Sequence, residues 1–346
     1  MDLIQAPYGD YWRQLRRIAT LELLTAKRVR SLRRVREAEV RTLVASIAAS
    51  SPGATIDLTR MLFSFTYRFP SNALVQMLSG TEEFLDGIQK VVDGLAESMI
   101  EQHQARRAAQ EGKSRAEEEE EDLLDVLLNL QENDTTLDIF LAGSETPAAL
   151  IEWTMSELIK NPEVMYKAQS EVRRVFGGKG RVEEAGICEL AYLKLVIKET
   201  LRLHTPAPLV LPRECREECR ISGYDIPLKT RILVNAWAIA RDPRYWGEEA
   251  EKFMPERFLN NKVSFRGGDF EFLPFGAGRR MCPGMTFGLA AAELPLASLL
   301  FHFDWELPRG VEPTSFNMDE KFGVTLRREN HLELIPVVRY NPLPSI

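Results

Sequence analysis

Cys282 lies in the segment of this chain whose composition most directly indicates chemistry. Residues 274–284 place it among three glycines, two prolines and the neighbouring arginines Arg279 and Arg280. Glycines let the backbone approach a flat group closely. Arginines and the start of a following helix favour the thiolate form of a cysteine. A single thiolate held in this way can be the axial ligand of a haem iron, whereas a lone cysteine without such surroundings is usually a buried free thiol.

Glu145 and Thr146 form a second candidate site, in the run Ala142-Gly143-Ser144-Glu145-Thr146. A carboxyl beside a hydroxyl on one helix can relay protons through water. Positioned proton transfer typically contributes about 10²–10⁴-fold to a rate. Pro147 has no N–H, so we expect the carbonyl of Gly143 to lose its helical partner, the helix to kink and a water to bind there.

Two pairs of residues have helical spacing. Glu199 and Arg202 lie three residues apart and Trp12 and Arg16 four apart, so each pair shares one helix face. On its own, Glu199 with Arg202 would be a surface ion pair of small energetic value. His204 is interpreted as structural.

The composition limits the function classes. The 346 residues are 45% hydrophobic and carry a net charge of −7, so the chain can bury a large core and has no general affinity for nucleic acid. Cys215 and Cys219 could suggest a zinc clip, but no second pair of suitable spacing completes it. Four unevenly spaced cysteines suit a reducing compartment.

The elements that would position these residues are mostly helices, with small β-sheets gathered late in the chain. We predict helices over 11–24, 27–49, 82–107, 134–161, 162–176, 189–204 and 287–303. Residues 110–122 are predicted to be a solvated linker. Strands are predicted at 219–221 and 224–226 as a hairpin, at 231–234, and at 322–325 paired with 331–335. Because Glu293 and Pro295 interrupt the apolar run 287–303, it is predicted to be a core helix, and the chain is expected to be soluble.

Together these motifs resemble those of the cytochrome P450 monooxygenases, in particular the plant microsomal group. The shared patterns are Phe-x-x-Gly-x-Arg-x-Cys at Phe275, Gly278, Arg280 and Cys282, the Gly-x-Glu-Thr run at Gly143, Glu-x-x-Arg at Glu199, Pro-Glu-Arg-Phe at Pro255 and Trp-x-x-x-Arg at Trp12. The resemblance implies one domain over residues 1–346 with the cytochrome P450 fold, incomplete. Residues 1–134 would be a helical part with gaps, and residues 135–346 the haem-binding core.

The resemblance also implies the roles of individual residues. It implies haem b (iron protoporphyrin IX), with Cys282 as the iron ligand, bound by Trp12, Arg16, Arg213, Phe275, Gly278, Arg280, Cys282 and Gly284. It implies proton delivery by Glu145 and Thr146, and a buried network under the haem formed by Glu199, Arg202 and Arg257. Apolar substrate contacts would come from Phe140, Gly143, Ala207, Leu209, Val210, Phe322 and Val324.

The implied activity is insertion of one oxygen atom from O2 into a small lipophilic, secondary-metabolite-like substrate. Electrons would come from NADPH through NADPH-cytochrome P450 reductase, whose docking the basic segment 27–36 could assist. The family acts at the cytosolic face of the endoplasmic reticulum membrane through an N-terminal anchor. This chain begins almost at the Trp12 helix, so without that anchor it is expected to be soluble or to aggregate.

Two further internal gaps are expected, near residues 67–70 and 133–137. They leave open the alternative of a non-catalytic truncated fragment with impaired or no haem binding. A haem-thiolate isomerase or dehydratase is the third hypothesis. Glu145, Thr146 and the regular loop before Cys282 disfavour it.

Overall fold

The computed structural model describes residues 3–4, 6–78 and 134–342, apart from the side chains of Glu22 and of residues 71–78 and 134–139. Within these ranges the chain is mainly helical. The α-helices are α1 Asp10–Ile18, α2 Ala26–Ser31, α3 Arg33–Ala48, α4 Leu58–Leu78, α5 Asp134–Lys160, α6 Pro162–Phe176, α7 Ala191–Leu203, α8 Ala236–Ile239, α9 Pro243–Trp246 and α10 Met285–His302. The predicted helix 82–107 and linker 110–122 lie outside the described residues.

Most predicted helices are confirmed with small shifts at their ends, and two are divided. The predicted helix 11–24 is α1 followed by a π-helical turn, Ala19–Leu23. The predicted helix 27–49 is α2 and α3, because Leu32 leaves the helical backbone region at φ −80° and ψ 2°. Thr25 begins α2 by accepting a hydrogen bond from the backbone N–H of Arg28, a usual N-cap arrangement.

Helix α10 lies in the centre of the molecule and packs against α3, α5 and α6. Leu296, Leu299, Leu300 and Phe301 along it are completely buried. It is long and apolar enough to cross a membrane by composition, the one such helix in the described ranges. Because 67% of it is buried inside the protein, it is a core helix, as predicted.

The strands form small antiparallel sheets. They are β1 Ile56–Asp57, β2 Arg213–Glu214, β3 Cys219–Ile221, β4 Tyr224–Ile226, β5 Arg231–Ile232, β6 Phe303–Glu306, β7 Glu320–Lys321, β8 Arg327–Arg328 and β9 Glu333–Val338. The sheet orders are β1-β9-β6, β2-β5, β3-β4 and β7-β8. The predicted β3–β4 hairpin is confirmed, with Cys219 opposite Ile226.

The predicted pairing of residues 322–325 with 331–335 is wrong. Strand β8 pairs with β7 instead, with Lys321 opposite Arg327. Strand β9 lies between β1 and β6 and there buries Leu334 completely. In this sheet Leu334 lies opposite Ile56 of β1, and β6, the strand after the core helix, pairs with the rest of β9 from Ile335 to Val338.

Two hydrogen bonds join helix α5 to the two loops that flank the candidate site. The buried indole N–H of Trp153 donates to the carbonyl of Leu326 over 3.1 Å. The N–H of Leu326 donates to the carbonyl of Pro206 over 2.9 Å. Helix α5, the loop after α7 and the segment before β8 are therefore held in one arrangement.

Candidate active site

The loop before Cys282 has a backbone path that only glycine adopts easily. Gly276 and Gly278 have φ values of +69° and +68°, in the left-handed region. The N–H of Gly276 donates to the carbonyl of Leu273, and the N–H of Cys282 donates to the carbonyl of Phe275 over 2.9 Å. These bonds fold the loop back on itself and place Cys282 three residues before α10.

The Cys282 side chain is accessible, although protein surrounds its sulfur on the other sides. This burial raises the thiol pKa above its ordinary value of 9.0. A hydrogen bond from the backbone of Gly284 and the positive charge of Arg16 act in the opposite direction. A thiol with these surroundings can ligate a metal on its open side, and the Gly284 backbone and Arg16 favour the anionic form that does so.

The three predicted haem-binding arginines lie close to one another. Burial lowers the pKa of Arg280, and the positive charges of Arg213, Arg16 and Arg216 lower it further. Within the described ranges, none of Arg16, Arg213 and Arg280 pairs with a carboxylate. Such a cluster fits a group that carries two negative charges, and the propionates of haem provide them. The residues present therefore fit haem beside Cys282.

Trp12 supports two of these arginines. Its ring is 3% exposed and lies 4.3 Å from the guanidinium carbon of Arg280 and 5.8 Å from that of Arg16. Its indole N–H donates to the carbonyl of Leu3 over 3.1 Å, so a propionate would compete with that carbonyl. The structure thus places Trp12 as a platform for the arginine side chains.

Helix α5 passes close to the N-terminal turn of α10. A Cβ built on Gly143 would lie 3.3 Å from the ring of Phe287, so only glycine allows this approach without a shift. The hydroxyl of Thr146 donates to the carbonyl of Ala142 over 2.7 Å. The helix continues through Pro147, and the water at the carbonyl of Gly143 stays a prediction.

Glu145 has a partner that the sequence did not reveal. The Nε–H of Arg327, at the start of β8, donates to its carboxylate over 2.8 Å, and Nη2 makes a second contact with the same oxygen. The guanidinium of Arg327 also lies 4.7 Å from the ring of Phe63 on α4. The signal in the sequence was only an Arg-Arg pair near the predicted substrate segment, which does not indicate which arginine turns inward.

The predicted substrate residues divide into two groups. Phe140, Gly143, Ala207, Leu209 and Val210 are half-buried. Val210 has φ +52°, unusual for a β-branched residue, and its side chain lies 3.6 Å from where a Cβ on Gly276 would be. Phe322 and Val324 expose 68% and 83% of their surface, so the structure places them at the protein surface and not in an enclosed pocket.

Glu199, Arg202 and Arg257 lie in one buried network, as the motifs suggest. Arg202 makes two hydrogen bonds of 2.8 Å to the carboxylate of Glu199, and Arg257 makes one of 2.8 Å. Backbone carbonyls accept the other donors of Arg202, including that of Ala250 at 2.6 Å. Glu199 and Arg202 are completely buried, so the network fixes the end of α7 against the loop that precedes the cysteine segment.

Comparison with known proteins agrees with this geometry. The family model described as Cytochrome P450 matches residues 69–332. Desmethyl-deoxy-podophyllotoxin synthase of Sinopodophyllum hexandrum is 47% identical, over 96% of this chain and 74% of the relative. Cytochrome P450 71D445 of Euphorbia lathyris is also 47% identical, over 97% of this chain and 74% of the relative.

A solved structure shows the same fold. It is a zebrafish cytochrome P450 with abiraterone, 26% identical, with a TM-score of 0.72 over 98% of this chain and 84% of that chain. The fold is therefore that of the family, and the family brings with it a haem cofactor and monooxygenase chemistry. The matches in sequence and in structure cover the same elements that hold Cys282, Glu145 and Arg202. This chain belongs to the cytochrome P450 family.

Proposed function

We propose that this chain is a haem-thiolate monooxygenase that inserts one oxygen atom from O2 into a small lipophilic substrate. Electrons come from NADPH through NADPH-cytochrome P450 reductase. The observation that carries the proposal is the accessible thiol of Cys282 beside Arg16, Arg213 and Arg280, which have no carboxylate partner within the described ranges.

Haem b is the cofactor that this site suits. Cys282 would hold the haem iron through its sulfur, and Gly278 and Gly284 would leave room for a flat ring near the backbone. The three arginines bind the propionates, with Trp12 beneath two of them. When bound, the haem would supply activation of O2 and transfer of one of its oxygen atoms, and the Cys282 thiolate would donate electron density to the iron.

Glu145 and Thr146 deliver protons to the part of the site where O2 would bind. The hydroxyl of Thr146 donates its hydrogen to the carbonyl of Ala142. The lone pairs of the Thr146 hydroxyl oxygen are therefore free to accept a hydrogen bond from a water. Glu145 is held by Arg327, so its carboxylate keeps one position on the helix. One oxygen atom of O2 enters the substrate and the other leaves as water, which requires two protons and two electrons.

The substrate class follows from the apolar residues near helix α5 and the loop 207–210. Phe140, Leu209 and Val210 offer no charged group to a substrate. A related plant enzyme is named as the synthase of desmethyl-deoxy-podophyllotoxin, which supports a small organic molecule of secondary metabolism. We place the protein at the cytosolic face of the endoplasmic reticulum, in line with the plant microsomal group that its motifs resemble.

The alternative is a truncated chain that does not complete the site. The alignment with the Sinopodophyllum enzyme extends over 382 positions, more than the 346 residues of this chain, so it contains positions that only the relative has. This supports internal gaps. The carbon monoxide difference spectrum, described next, distinguishes this alternative from the monooxygenase proposal.

The test is the carbon monoxide difference spectrum of the reduced protein expressed with haem. We expect a strongly red-shifted Soret band that disappears in Cys282→Ser. Cys188→Ser is the matched control, because Cys188 is an exposed thiol away from the arginine cluster, and it should keep the band. A protein without any red-shifted band would overturn the monooxygenase proposal and favour the truncated fragment.

A further inference from the structure

Cys215 and Cys219 form a close thiol pair outside the haem site. Their sulfur atoms lie 3.7 Å apart. The thiol of Cys215 also donates to the carbonyl of Glu217 over 2.9 Å, which folds the three residues between the cysteines into a tight turn. A disulfide requires the sulfurs to approach to about 2.05 Å, so the turn need close by only ~1.7 Å.

The two cysteines differ in how firmly they are held. Cys215 is buried, and its backbone extends the β2–β5 ladder through hydrogen bonds with Thr230 at 2.9 Å and Lys229 at 2.8 Å. Cys219 is exposed at the start of the short outer hairpin β3–β4. The buried thiol is therefore fixed, while the exposed thiol is open to reagents and can move toward it.

A metal site is a poorer interpretation of the pair. Zinc sites of this kind need four ligands. In the part of the chain that the structure describes, no group of three or more cysteine, histidine or acidic side chains could hold a metal ion. Two thiols without further ligands suit a reversible disulfide better.

We propose that Cys215 and Cys219 are a redox modification site that closes to a disulfide when a peroxide is the oxidant. The Cys219 thiolate attacks one peroxide oxygen, the O–O bond breaks, and a sulfenic acid and one water result. The Cys215 sulfur then attacks the sulfenic sulfur, so the S–O bond breaks and the second water leaves. Two thiols and one hydrogen peroxide thus give one disulfide and two waters, and a dithiol reductant reverses the change.

We expect the pair to react slowly at neutral pH. The hydrogen bond with Cys215 raises the pKa of Cys219, burial and the nearby charge of Glu217 adding to the effect, so little thiolate is present. The thiolate is the form that reacts with peroxide. Slow oxidation suits a site that responds to sustained peroxide exposure and stays reduced in an ordinary reducing compartment.

Formation of the disulfide would also constrain an arginine close to the Cys282 loop. Arg216 lies between the two cysteines, and its guanidinium carbon is 5.5 Å from the ring of Tyr8. Arg279, beside the cysteine loop, lies 4.4 Å from the same ring. The disulfide would therefore fix the turn that presents one of the cations at this surface.

Trypsin provides a direct test, because it cuts after Arg216 and so separates the two cysteines. The full chain with Cys188→Ser, expressed with haem, is treated with hydrogen peroxide, its remaining thiols are blocked with a maleimide, and it is digested. We expect peptides 214–216 and 217–220 to be found joined, lighter by two hydrogens than their sum and separated by dithiothreitol. Cys219→Ser should abolish the joined species.

Two results would overturn the proposal. One is recovery of both peptides separately, each carrying the maleimide, after sustained peroxide exposure that oxidises Cys188 of the native chain completely. The other is oxidation of Cys219 to sulfinic acid with Cys215 still blocked by maleimide, which would show that the second thiol cannot reach the first. A native-like melting temperature of the Cys219→Ser protein verifies that the comparison is made on folded chains.

Discussion

The guanidinium of Arg327 holds the carboxylate of Glu145, although 182 residues separate them in the chain. The two side chains are 42% and 32% exposed, so the ion pair lies at the edge of the site and not in the core. Partly exposed ion pairs contribute little to stability. The ion pair with Arg327 therefore fixes the position of the Glu145 carboxylate and adds little to the stability of the fold.

Replacing Arg327 should affect the coupling of the reaction more than the fold. In Arg327→Gln we expect a change in unfolding free energy below about 1 kcal/mol. If Glu145 delivers protons as proposed, the freed carboxylate no longer does so from one position, and we expect less product per NADPH and more peroxide. Product, NADPH and peroxide are measured with reductase present.

Two control variants accompany this prediction, one expected to have a large effect on product formation and one expected to have none. Glu145→Gln removes the carboxylate proposed to carry protons and should slow product formation by roughly 10²-fold or more. Arg309→Gln changes an exposed arginine in the turn after β6 and should leave all three quantities unchanged. Unchanged coupling in Arg327→Gln would show that the ion pair has no part in proton delivery.

The buried network should be costly to break. Glu199→Ala leaves Arg202 and Arg257 buried without their carboxylate, and we expect a loss of about 3–5 kcal/mol in unfolding free energy. Lys252→Ala removes the exposed ion pair with Glu249, at 3.0 Å, and should cost below about 1 kcal/mol. Urea denaturation measures both, and equal costs would contradict the assigned burial.

Replacing Trp153 should lower both the stability of the fold and the affinity for an apolar ligand. Trp153→Phe keeps an aromatic ring against His204 but leaves the carbonyl of the buried Leu326 without its donor, at a cost of about 1–3 kcal/mol. We expect weaker binding of an apolar ligand, measured from the ligand-induced shift of the haem spectrum. Trp305→Phe removes a comparable bond, to the carbonyl of Leu299 at 3.2 Å, far along the core. It should lower stability without changing ligand affinity.

Glu293 should make stability depend on pH. Burial in α10 raises the pKa of its carboxyl above the ordinary value of 4.5, while nearby Lys194 lowers it. The unfolded chain therefore loses this proton at lower pH than the folded chain, so the contribution of Glu293 to stability falls as pH rises above about 4.5.

Glu293→Gln should consequently raise the melting temperature at pH 7.5 more than at pH 5. Glu306→Gln, at an exposed position of β6, serves as the control and should show no such difference. A Glu293→Gln protein equally stabilised, or destabilised, at both pH values would contradict the assignment. Thermal unfolding followed by circular dichroism is sufficient.

Local sequence patterns predicted those parts of the fold that depend on neighbours in the chain. The ends of α6, the β3–β4 hairpin and the Glu199–Arg202 pair follow from proline, glycine and helical spacing. The partner of β9 and that of Glu145 could not be predicted, because each is chosen by packing between distant segments. The hydrogen bond from the Trp12 indole to the carbonyl of Leu3 could not be predicted either, because it depends on the path of the chain before α1.

The bonds that tie Leu326 to Trp153 and to Pro206 use main-chain atoms of both flanking loops. The path of the loop after α7 is therefore held by main-chain bonds and not by the side chains at Ala207 or Leu209, which are half-buried. Mutations at these two positions are expected to change the apolar surface of the site while the surrounding architecture is retained. Such an arrangement would allow new chemical preferences to arise by a few point changes, and it makes these two positions a compact library for directed evolution, whereas the surface residues Phe322 and Val324 lie outside it.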